Sequence, residues 1–493
     1  MANKHGVFIT EEATAVTVPK ETSAGVQVVI GTAPINQVDD PSKVVNVPIL
    51  ANSAAEAMKA LGFSDDFDSY TLCQTMYATG NLYQVSPVVY INVLDPDTHK
   101  AALTEATITV EDLQAVVKTE GVLKKNFVVK VPGASVGDDP TTLTPGTDYS
   151  LSFDDNGYMV ITLTATGAGA AATSLIVSGY KLDPSAVTAS DIIGSVNPST
   201  GVEKGMEVIR QIYPKLGVVP GILIAPGWSQ IATVGLALAA KAVNINGVFK
   251  AIAILDIPSD STNGAVVYTD VKNKKESLGY TSEFCYNVWP KVKVGDYIFA
   301  FSAIAAARMA YTDTEHEDVP SNSPSNKPLA ITGLVLADGT TEVVLDQDQG
   351  TTVNSYGVAT AININGFRLW GNYTGAYPAS GDAKDIWINV RRMFNWQGNT
   401  FILTYFDKVD DPMNSVLIEN IVDSENIRCA AYAPTHWAGA SIEYLEADNP
   451  ITDILAGKMT FRQHIAPYTP AETINNILNY DTSMLQAALT GGE

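Results

Sequence analysis

Apolar and polar positions alternate differently along successive parts of the chain. Across 25–96, Val26, Val28 and Ile30 form a short strand ending at Gly31-Thr32-Ala33-Pro34, and Pro48-Ile49-Leu50 is a second apolar run. Ser53 then caps a helix carrying Ala54, Ala57, Met58 and Leu61 that stops at Gly62. Tyr70, Leu72, Met76 and Tyr77 predict another helix, and 88–93 a strand. Strand and helix in alternation predict α/β packing. From 99 to 184 the composition shifts to Thr, Val and Gly, and short alternating runs recur at 106–110, 127–131, 149–153, 158–163 and 175–180. Asp155-Asn156-Gly157 is a hairpin turn between two of these runs. The pattern predicts a small all-β unit, bordered by LDPDTHK and KLDPSAV, inserted into an α/β unit that resumes after it. There 217–225 reads as a buried strand, Pro226-Gly227 turns into a helix over about 229–244, and 249–257 is the next strand. This is a strand-helix-strand unit on the parallel-sheet pattern. The stretches 279–288 and 294–310 extend the layer.

The most information-rich stretch is 357–414. Ala361, Ile362 and Ile364 lead to Asn365-Gly366 and then to 367–371, a strong hairpin signal. A turn-rich loop at 371–384 follows, and Ile386, Ile388 and Val390 alternate with Trp387, Asn389 and Arg391, which predicts a strand. From Arg392 the period becomes helical through Met393, Phe394, Gln397, Phe401 and Tyr405. Asp410-Asp411-Pro412 opens a further helix, on which Leu417, Ile421 and Arg428, and Ile418, Val422 and Ile427, recur at helical spacing. Strands are expected at 441–446 and 458–465 with a short helix at 450–455; 473–480 fits either a strand or a helix. At the other end, 1–20 reads as an extended arm in which Val7 and Ile9, then Val16 and Val18, lie at alternate positions. A terminal strand without a hairpin partner joins its own sheet or augments a neighbouring subunit.

Composition narrows the function. With 493 residues and 46% hydrophobic content, the chain can bury several cores, so three or four domains are expected. Only 17% of residues are charged, which suits a protein that buries much surface against copies of itself. The formal net charge of -23 speaks against nucleic acid as a partner, because phosphate binding needs clustered Lys and Arg. Cys73, Cys285 and Cys429 are sparse and odd in number, as expected of a protein kept in a reducing cytosol. The opening MANKHGVFITEE has no signal-peptide pattern, and the apolar stretches 217–225 and 231–240 are too short to span a bilayer, so no direct membrane insertion is expected.

Candidate chemistry is sparse. Ser229 follows Gly227-Trp228 near a helix start, but PGWSQIA lacks a Gly-x-Ser-x-Gly elbow. The histidines, His5, His99, His316, His436 and His464, all lie outside the span where a serine-protease triad would need one. Ser229 is therefore read as a helix cap. Asp65, Asp66 and Asp68 lack calcium-loop order, and Asp346-x-Asp348-x-Gly350 is two ligands short of it. Glu315-His316-Glu317-Asp318 reads as a solvated loop, with no HExxH and no close His pair. No Walker A sequence occurs, and no GxGxxG follows a strand. No catalytic, metal or cofactor residues are assigned, and no cofactor is expected.

The order of words in the chain carries the sharper reading. NGFRLWGN, a loop ending AYP, INVRRMFNW, GNTFILTYF and DDPMN, continued by EADNPITD, resembles the contractile tail sheath proteins of phages, R-type bacteriocins and related injection machines. GVFITEE, VVIGTAPIN, ILANSAAEAMKALGF, LGVVPGILIAPGWS and FSAIAAARMA extend the resemblance over nearly the whole chain. The resemblance implies a multidomain α/β protein: an α/β sheath core in a subtilisin-like arrangement, an inserted all-β domain and an α+β C-terminal domain. The expected division is 1–20 as N-terminal arm, 21–98 as N-terminal α/β part, 99–184 as inserted β domain, 185–345 as sheath core, 346–483 as C-terminal sheath domain and 484–493 as C-terminal extension. It implies a structural, non-enzymatic subunit that polymerises with itself around a tail tube and contracts. Tube, baseplate and terminator proteins are the further partners. Inter-subunit strand addition would fall on Val7, Ile9, Val16 and Val18 and on Leu485 and Leu489. Arg368, Trp370, Arg391, Arg392, Phe394 and Trp396 carry the family motif of the C-terminal domain. Synthesis in a bacterial host cytoplasm, assembly into a tail or tail-like particle and release by lysis complete the expectation. The competing reading is a hydrolase or glycan-binding surface protein on an α/β scaffold.

Overall fold

The computed structural model describes residues 22–133 and 138–490, so the predicted arm at 1–20, with Val7, Ile9, Val16 and Val18, lies outside the described residues. The first half of the core comprises β1 (Gln27–Gly31), β2 (Pro48–Ala51), α1 (Ala54–Leu61), α2 (Leu72–Tyr77) and β3 (Val88–Asn92). Next come the strands of the Thr/Val-rich segment: β4 (Lys100–Thr109), β5 (Gln114–Val117), β6 (Val128–Val131), β7 (Thr141–Thr142), β8 (Tyr149–Phe153), β9 (Met159–Leu163) and β10 (Ser174–Leu182). The core resumes with α3 (Ala189–Ile193), α4 (Ile212–Leu216), β11 (Ile222–Ile224), α5 (Ala232–Val243), β12 (Ile252–Asp256), α6 (Val271–Leu278) and β13 (Cys285–Val288). A small antiparallel group, β14 (Lys291–Val294), β15 (Tyr297–Phe299) and β16 (Gly333–Val335), brackets α7 (Phe301–Thr314). After α8 (Gln347–Asn354), the hairpin β17 (Val358–Asn363) and β18 (Phe367–Trp370) completes the sheet.

That sheet has the order β18-β17-β13-β12-β11-β1-β3-β2, with antiparallel pairing at both edges and parallel pairing between β3 and β17. Strands β1, β3, β11, β12 and β13 are buried at every position. Helices cover both faces of such a sheet, so its strands read as unbroken apolar runs rather than alternating ones. The segment from β4 to β10 folds into two antiparallel sheets, β4-β10-β6-β7 and β5-β9-β8, around a core of its own that includes Phe127, Val129, Tyr149, Met159, Ile161 and Val177. Its chain ends meet, because Lys100 and Leu182 face each other in the β4–β10 ladder.

Beyond the hairpin lie α9 (Ala383–Ile386), α10 (Ile388–Tyr405), α11 (Ser415–Ala431), the pair β19 (Trp437–Glu443) and β20 (Arg462–Pro467) flanking α12 (Ile451–Leu455), and α13 (Thr482–Thr490). Several expectations change here. The alternating stretch 386–390 runs from the end of α9 through the extended Trp387 into the first turn of α10 and is not a strand; polar and apolar side chains are both buried along α10, which hides the helical period there. Asp410 sits at φ 70, in the left-handed region, so the helix expected there begins later, where the Asn414 side chain accepts from the Leu417 N–H. The strand expected at 217–225 is confined to β11, preceded by α4 and by Gly217 in the left-handed conformation. Residues 441–446 and 458–465 pair as predicted in kind but shifted in bounds. The stretch 473–480 is neither strand nor helix and is exposed throughout. Leu485 and Leu489 lie on α13, a helix with no buried residue.

Candidate functional site

Two places could concentrate function: the crevice at the carboxyl ends of the parallel strands, and the C-terminal helices that carry the motif residues. Open parallel sheets bind ligands at the first of these. Here a cavity of about 130 Å³ is lined by Gln230, Asp256, Ser259, Asp260 and Lys291 among others. Asp256 at the end of β12 is its buried acid, but both carboxylate oxygens are already occupied. Ser229 Oγ donates to one oxygen at 2.6 Å, and Ser302 donates to it with Oγ at 2.6 Å and to the other with N–H at 2.9 Å. Ser229 Oγ also accepts the Asp256 N–H at 3.0 Å. Burial pushes the Asp256 carboxyl up, and these serine donors oppose the shift. Ser229 is therefore not a helix cap: α5 starts at Ala232 with Ile231 before it and no capping side chain. The serine ties the turn ahead of α5 to β12. The histidines of the described residues are engaged elsewhere: His99 with Asp95 and Asp191, His316 with the Thr312 carbonyl, His436 with Ser321 and Glu317, and His464 with Glu443. Among the described residues no group of His, Cys, Asp and Glu could hold a metal ion, and no helix is long and apolar enough to cross a membrane.

The C-terminal helices are the richer site. Helix α10 buries Asn389, Arg391, Arg392, Asn395, Gln397, Asn399, Thr400 and Thr404 alongside its apolar residues. Buried polar groups need partners, and α10 finds them in every direction. Towards the sheet, Asn395 Nδ2 donates to the Ala251 carbonyl at 3.1 Å, and the Asn399 amide exchanges two hydrogen bonds with the Lys250 backbone. Towards α11, Gln397 Nε2 donates to Glu425 Oε1 at 2.7 Å and to Gln463 Oε1 of β20 at 2.9 Å. Arg428 pairs with Glu425 at 2.6 Å, its guanidinium facing the Trp396 ring at 5.5 Å. Burial would raise the Glu425 carboxyl, but Arg428, Gln397 and Gln463 together hold it below its usual range.

The motif residues divide between these roles. Arg392 forms a buried, two-pronged ion pair with Asp313 of α7 and also donates to the Ala24 carbonyl at 3.1 Å. Burial pushes the Asp313 carboxyl up, and the guanidinium opposes it. Trp396 Nε1 donates to the Thr22 carbonyl at 2.8 Å, and its ring meets Tyr432 edge-on at 5.1 Å. Arg391 pairs with Asp385 at 3.2 Å and lies between the rings of Phe284 and Phe394. Arg368 donates to the Asn326 carbonyl at 2.9 Å, and Trp370 Nε1 to Thr351 Oγ1 at 3.3 Å, so these two stitch the β17–β18 hairpin rather than joining α10. Sequence reading missed Asn389, Asn395, Asn399, Glu425 and Arg428. The usable signal was the number of amide side chains inside an otherwise apolar run.

The exit of the chain is held as well. Asn389 Nδ2 donates to the carbonyls of Ser321 and Tyr468 at 2.9 and 3.0 Å. Tyr373 OH donates to Glu472 Oε2 at 2.7 Å, with Tyr377 stacked on the Tyr373 ring at 3.7 Å. Past Glu472 the chain is exposed to 490 and displays Ile474, Ile477, Leu478, Tyr480, Met484 and Leu489 to solvent.

Fold and site together define a mixed α/β protein in which helix α10 holds the segments around Thr22–Ala24 and Tyr468 against the main body. The tail sheath protein of Burkholderia phage BcepMu is 29% identical over 438 residues, spanning 86% of this chain and 85% of that protein. A putative prophage major tail sheath protein of Pseudomonas aeruginosa is 27% identical over 359 residues, spanning 70% of this chain and 88% of its own length. No protein-family model matches the chain. In fold, the sheath complex of an extracellular contractile injection system in its contracted state superposes with a TM-score of 0.57 at 13% identity, covering 98% of this chain and 99% of that one. The contracted helical sheath of the anti-feeding prophage gives a TM-score of 0.54 at 15% identity, covering 98% and 100%. The chain is a homologue of the tail sheath proteins of phages and prophages, and it shares the fold of the sheaths of contractile injection systems.

Proposed function

We propose that this chain polymerises into a helical sleeve around a tail tube and shortens in one concerted transition that drives the tube through a target envelope. The observation that carries this reading is full-length similarity: sequence likeness to a phage sheath over 86% of the chain, and the fold of contracted sheaths over 98% of it. In this reading the energy is stored at assembly, as a difference between two packings of the same subunits, so neither nucleotide nor metal is consumed. Asp256, Ser229 and Ser302 bond to one another and tie the turn ahead of α5 to β12, which fits a structural role for this crevice. The subunit's partners are further copies of itself, a tube protein, and baseplate and terminator proteins. It is made in the bacterial host cytoplasm and leaves by lysis. The segment 99–184 is an inserted domain that decorates the sleeve, and the two chain ends link neighbouring subunits.

Negative-stain microscopy of the purified protein, alone and with its tube, tests this reading. Tubes that shorten on mild denaturant in EDTA and without nucleotide are expected. Persistent monomers under all conditions, or contraction abolished by EDTA, would overturn it.

A further inference from the structure

We infer that α10 is a tie bar: among the described residues, the element that grips both the entrance and the exit of the chain and passes load from them into the body of the subunit. This deepens the sleeve reading and rests on it for its biological meaning, but its geometry stands alone. Asn389, Arg392, Trp396 and Thr400 are spaced at three, four and four residues, which places them within about 80° of arc on one stripe of α10. The lower end of the stripe, Asn389, holds the exit of the chain through the Tyr468 carbonyl at 3.0 Å. The remainder holds its entrance: Arg392 on the Ala24 carbonyl at 3.1 Å, Trp396 on the Thr22 carbonyl at 2.8 Å and Thr400 Oγ1 on Thr22 Oγ1 at 3.1 Å. The exit hold at Asn389 and the entrance holds from Arg392 to Thr400 thus share one stripe about 17 Å long on a single helix.

Each root is gripped by side chains bonding to backbone, and the helix is braced on its other faces. Asn395 and Asn399 fix it to the loop before β12 and Gln397 fixes it to α11, while Arg392, on the stripe itself, also ties it to Asp313 of α7. Strand β1 begins only three residues after Ala24, so tension entering at Thr22 would otherwise pull directly on the centre of the sheet. The grip at Thr22 and Ala24 diverts it into α10 before it reaches β1. Past Glu472 the exit segment makes no buried contact, so load arriving there has Glu472, Asn389 and β20 as its first holds.

The test is mechanical and uses the full chain as a monomer, held by its two termini under constant force in an optical trap. Asn389→Ala and Thr400→Val are compared with Ile30→Ala in β1, and each is checked for an intact thermal transition. The lifetime before the first rupture should fall about tenfold in either α10 variant, the effect of roughly one lost hydrogen bond, and stay unchanged in Ile30→Ala. A lifetime that is insensitive to both α10 variants but shortened by Ile30→Ala places the load path in the sheet and overturns the inference. Either α10 variant alone decides the matter if the other fails to fold. Microscopy of the unmodified protein separates the two readings: absence of sleeves with α10-dependent lifetimes defeats the sleeve and leaves the tie bar.

Discussion

Ser229 shows what a single hydroxyl contributes in this molecule. Its Oγ both donates to the Asp256 carboxylate and accepts the Asp256 N–H, so Ser229→Ala strands that buried N–H and leaves the carboxylate with the Ser302 donors alone. A loss of about 1–3 kcal/mol in unfolding free energy is expected, measured by urea titration, more than the loss of an exposed helix cap would give. Lys275 offers a sharper test because it titrates. Its Nζ is buried against the Tyr356 and Tyr377 carbonyls at 2.8 and 2.7 Å, and burial lowers its pKa to about 8. Between pH 8 and the ordinary lysine value of 10.5, the unfolded chain binds a proton that the folded chain does not. Stability therefore rises with pH across that window through this group, and the cost of burying the charge is fully present below it. A Lys275→Met variant lacks this rise. Its stability relative to the parent should be most favourable near pH 7 and decline by up to about 3 kcal/mol by pH 10.5, as denaturation at several pH values would reveal. A constant difference across the window would remove Lys275 from the account.

Among the elements, the segment from β4 to β10 is the most separable. Its two sheets enclose their own core, and its ends meet where Lys100 faces Leu182, so a short Gly/Ser bridge can replace 99–184. The join is not free of cost: Leu123 and Leu182 pack into the main core, and Ser64 Oγ donates to Glu120 at 2.9 Å. The excised protein should still form sleeves and melt a few degrees lower by circular dichroism; loss of the cooperative transition would show the segment to be part of the core. Its strands were readable from the sequence because half-buried strands alternate. The β17–β18 hairpin was readable because Asn365 occupies φ 54 and Gly366 φ 103, which Asn and Gly tolerate. Helix α10 was readable from Arg392 onward but not at its start. Its first turn spells Ile388-Asn389-Val390, which alternates like a strand, and its buried Asn, Gln and Arg side chains bond to elements far away in sequence. Pattern reading sees only which side chains are apolar, so the polar grip of this helix on its neighbours escapes it. The same blindness made Ser229 a cap, since its partner Asp256 lies on another strand.

At the scale of the whole molecule, two features oppose each other in a sleeve. Each subunit carries a formal net charge of -23, so neighbours repel and assembly should be favoured by raising salt from 50 to 300 mM, about where screening shortens to several ångströms. Against that repulsion stands apolar surface with no partner among the described residues. Ile474, Ile477 and Leu478 are more than 80% exposed, and Tyr480, Met484 and Leu489 more than 70%. Covering each of these on a neighbour contributes about 1.5–3 kcal/mol. None of that stabilises the isolated subunit. Deleting 473–493 should therefore leave a folded monomer with an unchanged melting temperature that no longer assembles, and deleting 1–19 should do the same. The cut at 473 spares Glu472 and its hydrogen bond to Tyr373, so the root stays closed and any loss of assembly belongs to the segment beyond it. Calorimetry and microscopy on the same preparations read the two halves of the prediction. A lowered melting temperature would make the deleted end part of its own subunit's core, and sleeves of normal length would show that it links nothing.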